Sequence, residues 1–316
     1  MKTVFTTIIG LFLSLISISQ TTDLVAGDIA ILQYNPSTTG GSEVIQFIAK
    51  RSMSAGTIIN FTDNGWSGSA LNTNEGTTIW TAPSNIACGQ VITLTLDGAN
   101  FDLDATKAGD QILAYQGSAG SEVFLFGIVS NENGAWGVNA ATLNDSALPS
   151  PLVVGTDAIA LTVIATGSPG SRQTDFKYNT TSFSGTKAAI ITDISTVGNW
   201  IGANATAQTY SGTFTSENTW TTTWSGGVGT SNDYFNAIID GDYDTTTDGN
   251  FSACECTVNN TRTLTVNSGG TVTVENIITN NGIILVQDDG AIVQVSDGAN
   301  TGTTYTVERQ TTLLDS

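Results

Sequence analysis

From residue 254 onward the chain breaks into short β-rich runs, each ended by a glycine turn: "TRTLTVNSGG", "TVTVENIITNNG", "IILVQDDG" and "AIVQVSDG". Gly270, Gly282, Gly290 and Gly298 close successive turns. No run of this length can bury its own apolar face, so the units must stack on one another, which is the logic of a β-solenoid. The spacing is too irregular for a hexapeptide repeat, and a plain β-meander is the alternative arrangement. Either arrangement makes this part of the chain strand and turn.

Composition extends that reading to the whole chain. Only 12% of the 316 residues are charged, so Thr, Ser, Asn and Gln must supply the polar surface, and such residues favour strands and turns over helices. Thirty-four glycines against five prolines fit many tight turns rather than a proline-rich linker. The expected fold class is all-β. The net charge of -19 and the nine scattered basic residues exclude nucleic acid as a partner, because phosphate binding needs clustered Lys and Arg. An anionic membrane surface is disfavoured for the same reason.

Between residues 23 and 214 the strands come at short intervals: "GDIAILQYN", "EVIQFIAK", "GTIINFTDNGW", "GTTIWTA", "QVITLTL", "GDQILAYQG" and "VFLFGIV". Strands so spaced predict a two-sheet sandwich. "DNG" at Asp63 to Gly65 reads as a tight turn that uses positive φ. A second region, 215–316, opens near Trp220 and carries the stacked runs. At the start, Lys2, an apolar run from Ile8 to Ile18 and small residues to Ser19 make residues 1–19 a secretory signal peptide, cut before Gln20 and too short to span a bilayer. Cys88, Cys254 and Cys256 are too few and too unevenly spaced for a disulfide framework. Cys254 and Cys256, two apart, are expected on one face of a strand as small core residues.

The strand order from "GDIAILQYN" to "VFLFGI", with a continuation in "GTDAIALTV", resembles the lamin-tail-like, immunoglobulin-type domains of bacterial surface proteins. Its opening departs from the usual acidic "NEI" pattern, having Leu32, Gln33 and Tyr34. The second region, with "NAIIDGDY" ahead of "LTVNSGGTVTV", looks like the stalks of secreted Bacteroidota proteins exported by type IX secretion. The resemblance implies a sandwich that binds or spaces rather than catalyses, on a β-solenoid stalk. Such chains commonly end in a sorting domain. This one stops in strand-like sequence at "TVERQTTLLDS", which is read as a chain cut short.

The search for chemistry returns little. With no histidine there is no His-based triad, a Cys nucleophile would lack its usual base, and the carboxylate pairs Asp102/Asp104 and Asp288/Asp289 read as solvated. No catalytic residue and no cofactor is assigned, and the chain is read as not an enzyme. Trp66 and Trp80 are the candidate ligand-binding residues, since exposed rings can stack on sugars; core packing is the alternative. Asp240, Asp242, Asp244 and Asp248 are the candidate calcium ligands. Counted as an EF-hand loop from Asp240, the run lacks Gly at Thr245 and Glu at Phe251, so "GDYDTTTDG" reads mainly as a polar connection into the stacked region. The expected protein is an exported, non-catalytic component of a Gram-negative cell surface or its surroundings, acting in adhesion or as a structural or binding module. Its partners would be an extracellular glycan or another surface protein. The alternative is the carbohydrate-binding part of a polysaccharide-degrading system whose catalytic region lies elsewhere.

Overall fold

Alternation in "EVIQFIA" turns Ile45, Phe47 and Ala49 to one side, and these are buried. Their partners come from two layers, antiparallel but for one strand pair. The computed structural model describes residues 21–36, 43–104, 109–162, 174–203, 206–226, 234–295, 299–302 and 304–308. The expected signal segment 1–19 and the turn glycine Gly298 lie outside the described residues.

One layer is centred on the chain Ile29–Ile31 and Gln33–Tyr34. Its first piece pairs antiparallel with Glu43–Ala49, which in turn pairs with Val91–Leu96. Its second piece pairs with Asp175–Tyr178, which pairs with Trp200–Ala203. Leu32 joins the two: its N–H donates to the Gln46 carbonyl at 2.7 Å, and its own carbonyl accepts from Tyr178 N at 2.9 Å. The other layer runs Thr77–Thr81, Ile58–Thr62, Asp110–Gln116, Val123–Asn131 and Ala158–Thr162, with the last strand added in parallel. Phe47 on the first layer meets Phe61 and Trp80 on the second, each at 5.2 Å between ring centroids. These offset and edge contacts close the middle of the core.

The "DNG" segment does not turn as expected. None of Asp63, Asn64 and Gly65 has positive φ. Instead the Asp63 carboxylate accepts from Gly76 N at 2.7 Å and Asp102 N at 2.8 Å, tying three loops together. A Cβ on Gly65 would sit 2.3 Å from the Asp145 carbonyl, so the glycine serves close approach.

From Glu217 the pattern changes to three parallel sheets. One stacks Glu217–Trp220, Asn236–Ile239, Glu255–Val258, Ile278–Asn280 and Thr301–Gly302. The second stacks Tyr243–Asp244, Thr263–Val266, Ile283–Val286 and Tyr305–Val307. The third stacks Phe251–Ala253, Thr271–Val274 and Ala291–Gln294. Each residue pairs with one 19 to 22 positions later. This is a three-faced β-solenoid of about four turns. The runs visible in the sequence are therefore single faces, and three of them make one rung. Inward positions form ladders such as Ala237–Cys256–Ile278 and Phe251–Val272–Ile292. Trp220, Trp224, Tyr243 and Phe251 pack in edge-to-face and tilted contacts at the first rung, with centroids 4.8–5.6 Å apart. The segment expected as a connection, 241–249, is thus a corner and face of an early rung: Tyr243–Asp244 is a strand and Thr245–Asp248 a single helical turn.

The cysteine reading is corrected at this junction. Cys254 lies at the corner between Phe251–Ala253 and Glu255–Val258, so it does not share a strand face with Cys256. Cys256 points into the solenoid core, whereas Cys254 packs with the sandwich core and is bonded to Cys88, with 6.2 Å between their Cα atoms. Phe235 reinforces the junction: a Cβ on Gly89 would meet its ring at 3.0 Å. So does Glu275, whose carboxylate accepts from Ser52 N at 3.3 Å and Ser52 Oγ at 3.0 Å. The bridge closes a loop of 166 residues, and constraint of so long a loop in the unfolded chain is worth about 3–5 kcal/mol. Cys88→Ser should accordingly lower the urea midpoint by a corresponding amount, and reductant should lower the wild type to the same value. A midpoint that ignores both changes would show that the bridge does not constrain the fold.

Candidate functional site

Trp66 and Trp80 do not form a common platform. Trp80 is 8% exposed, edge-on to Phe47 in the sandwich interior, so its ring offers no face to a sugar and takes the core role instead. Trp66 lies across the other face of the same sheet, on a separate cluster that includes Leu113, Tyr115 and Phe124, with its ring 5.1 Å from Phe124. Its backbone is held at both ends, N–H to Ser146 Oγ at 2.9 Å and carbonyl from Ala147 N at 2.9 Å. Alternation along Asp110–Gln116 makes this split, sending Ile112 and Ala114 inward and Leu113 and Tyr115 outward.

The acidic run is spread along a corner of the solenoid and reaches to the next rung. Asp240 Oδ1 accepts from Asn259 Nδ2 at 3.1 Å and lies 3.9 Å from Arg262 Nε. Asp242 Oδ1 accepts from Thr263 N at 2.9 Å. Asp244 accepts from Thr246 N at 2.8 Å and from Asn267 Nδ2, which holds its carboxyl below the usual carboxylate range. Asp248 Oδ2 accepts from Asp244 N at 2.8 Å. These carboxylates satisfy donors that the turns leave over. They do not converge: among the described residues, the one group of three Cys or carboxylate ligand atoms within 4.8 Å of one another is Cys88, Cys254 and Glu275. Two of its members are the bonded sulfurs of the bridge, which have no thiolate to offer a metal.

The site with the most chemistry lies beside that bridge. A cleft of about 560 Å³ opens there, lined by Asp28, Lys50, Arg51, Asp157, Lys187 and Glu275. Three of the chain's nine basic residues meet in it, although basic side chains are sparse everywhere else. Lys50 and Arg51 follow the strand Glu43–Ala49, and the Lys50 N–H donates to the Asp28 carbonyl at 2.8 Å, fixing the strand end. Lys187 begins the helix Lys187–Ile194, which is capped by Thr186 Oγ1 accepting from Ala189 N at 3.0 Å. Glu275 comes from the solenoid. Gly27, at φ 82°, forms the floor: a Cβ there would lie 3.1 Å from Ile191 Cδ1 and 3.7 Å from Lys50 Nζ.

Lys50 is the unusual member. It is 8% exposed, and burial pulls its ammonium down to about 8, opposed by Asp28 and Asp157 and assisted by Lys187. Burial likewise raises the Asp28 and Asp157 carboxyls. The carboxylates are already engaged: Asp28 Oδ2 accepts from Val25 N at 2.9 Å and sits 3.8 Å from Arg51, Asp157 accepts from Val153 N, and Glu275 accepts from Ser52. The Lys50 Nζ, by contrast, has neither a hydrogen-bond acceptor nor a carboxylate within 4.0 Å among the described residues. Sequence reasoning passed over these residues. The adjacent Lys50-Arg51 pair in a lysine-poor chain was the available signal, while Lys187 could be placed beside it only by the fold.

A second group of carboxylates, buried Asp63 and Asp110 with half-buried Glu75, lies at one end of the second sandwich sheet. Burial drives Asp63 up to about 6 and Glu75 up to about 8, and raises Asp110 strongly. Asp63 and Asp110 use both oxygens on backbone N–H groups. Glu75 Oε2 has no hydrogen-bond partner among the described residues. The group reads as loop-fastening rather than as a ligand shell.

No family model, no curated protein and no solved structure matches the chain.

Two outcomes follow. A carboxyl raised in the folded state stabilises the fold below its unfolded value and loses that contribution as pH rises through the folded value, so Asp63 and Glu75 should make the thermal midpoint fall from about pH 4 to about pH 8. A lowered lysine acts oppositely, and Lys50 should offset the decline above about pH 8. Glu75→Gln should flatten the fall, and an unchanged profile in that variant would remove Glu75 as its cause. Separately, excess EDTA should leave the midpoint unmoved if the acidic corner holds no calcium; a drop would restore Asp240, Asp242, Asp244 and Asp248 as ligands.

Proposed function

We propose that the chain is an exported, non-catalytic protein of a Gram-negative cell surface or its surroundings, a lamin-tail-like sandwich carried on a β-solenoid stalk and acting in adhesion or as a structural or binding module. The observation that carries the reading is the Cys88–Cys254 bridge, which clamps the sandwich to the stacked rungs. Disulfides persist in oxidising compartments and are rare in the cytosol, so the bridge supports export. Stacked parallel rungs transmit contact from neighbour to neighbour, which suits a stiff spacer. The affinity with Bacteroidota surface proteins and type IX secretion belongs to the same proposal and rests on the sequence resemblance.

Expression of the full chain in a Gram-negative host tests the export step. N-terminal sequencing of the extracytoplasmic product should begin at Gln20, with Cys88 and Cys254 protected from alkylation. An uncleaved, cytoplasmic, fully alkylatable chain would sink the reading.

The second reading, the carbohydrate-binding part of a polysaccharide-degrading system, is favoured by the polar cleft beside the bridge, whose size of about 560 Å³ is in the range that holds small ligands. A glycan array with the mature chain separates the two, since absence of binding to every glycan removes it.

A further inference from the structure

The cleft beside the bridge has an uneven supply of hydrogen-bonding groups. Its three carboxylates already accept from Val25, Val153 and Ser52. Of the cations, Arg51 donates to the Asp23 carbonyl at 3.1 Å and faces Asp28. Lys50 is 8% exposed as a residue, its ammonium meets no acceptor among the described residues, and its Nζ opens to the solvent of the cleft. An ammonium that faces the cleft with no protein acceptor can exchange its water for an acceptor on a ligand, and a charge-assisted hydrogen bond is the stronger kind. The helix Lys187–Ile194 presents its first turn to the same space, with Lys187, Ala188 and Ile191 on the wall, so its N-terminal dipole favours negative charge there too. The group that suits this end of the cleft is an acceptor, and an anionic one.

Its charge and shape are also constrained. Three cations and three carboxylates line the cleft, which leaves no excess positive charge to balance a dianion such as phosphate. A singly charged carboxylate satisfies Lys50 without bringing a second negative charge beside Asp28, Asp157 and Glu275. Those same carboxylates have lone pairs left for hydroxyl donors. A molecule with one carboxylate surrounded by hydroxyls matches both halves of the cleft.

We propose that this cleft binds the carboxylate of a uronic acid unit, with Lys50 as the group that recognises it and Asp28, Asp157 and Glu275 facing its hydroxyls. The choice of a sugar rests on the extracellular binding reading above; the choice of a monocarboxylate rests on the cleft alone. Because Glu275 comes from the solenoid and Lys50 from the sandwich, the site exists only where the two are joined.

Calorimetric titration of the mature, oxidised chain with galacturonic acid disaccharide, the matching neutral disaccharide and inorganic phosphate tests the proposal. The uronate should bind, the neutral sugar and phosphate should not, and Lys50→Met should weaken the uronate by about tenfold or more, as expected for loss of a charge-assisted hydrogen bond. Affinity should also fall as pH rises through about 8, where Lys50 loses its proton beside Asp28, Asp157, Lys187, Arg51 and Glu275. This profile is read on the wild type and so stands even if the variant does not fold. Equal binding of the neutral sugar, tighter binding of phosphate, an unaffected Lys50→Met variant or no binding at all would each overturn it. A chain that is exported and cleaved yet ignores the uronate loses this ligand only, whereas a chain that stays in the cytoplasm loses the functional reading.

Discussion

The join between sandwich and solenoid depends on the bond from Cys88 to Cys254. A solenoid rung has apolar ladders open above and below it, and a first rung left bare would expose them to water. Here the first rungs are closed in two ways. Trp220, Trp224, Tyr243 and Phe251 fill the interior near the start of the stack. The corner at Cys254 is pulled out of the solenoid and into the sandwich core. That corner brings Phe235 onto Gly89 and Glu275 onto Ser52, and so the cleft next to it acquires a wall from each side. Rupture of the bond would leave the buried Phe235 ring and the part-buried Glu275–Ser52 hydrogen bonds to hold the two together.

The strands were legible because alternation and glycine turns are local signals. "EVIQFIAK", "GDQILAYQG" and "VFLFGIV" each became a strand, and the stacking of the glycine-punctuated runs followed from their being too short to bury themselves. What was not legible was the count of faces in a rung. Three faces of unequal length bring the partner of each residue 19 to 22 positions on, and irregular corners hide a period of that size. The cysteines failed for a related reason. Spacing of two implies a shared face only while the chain stays extended, and it bends at Cys254. Nothing in a separation of 166 residues points from Cys254 to Cys88.

The candidate site divides along the same line. The acidic run was visible because its residues are neighbours in sequence, yet Asp240, Asp242 and Asp244 spend their oxygens on donors of the following rung, a partner set fixed by stacking. Tryptophans are visible one by one, but whether a ring is a platform or a plug depends on which side of a sheet it falls, and Trp66 and Trp80 fall on opposite sides. Lys187 lies far along the chain from the adjacent Lys50 and Arg51 and meets them only in the fold.

An acidic chain would at first sight repel an anion from any cleft it has. The length scale decides otherwise. At physiological salt, charges on the open surface are screened beyond about 8 Å, so most of the net charge of -19 acts weakly on a group inside the cleft. The charges that matter there are the lining ones, and they balance. Burial then weights them unequally. Desolvation disfavours every ion in the cleft, raising Asp28 and Asp157 and lowering Lys50. The acids relieve that cost through backbone N–H donors or Arg51, whereas Lys50 has the charges of Asp28 and Asp157 but no hydrogen bond among the described residues. A bound carboxylate would supply one, returning the ammonium toward its ordinary range, so ligand binding and proton uptake at Lys50 would favour each other.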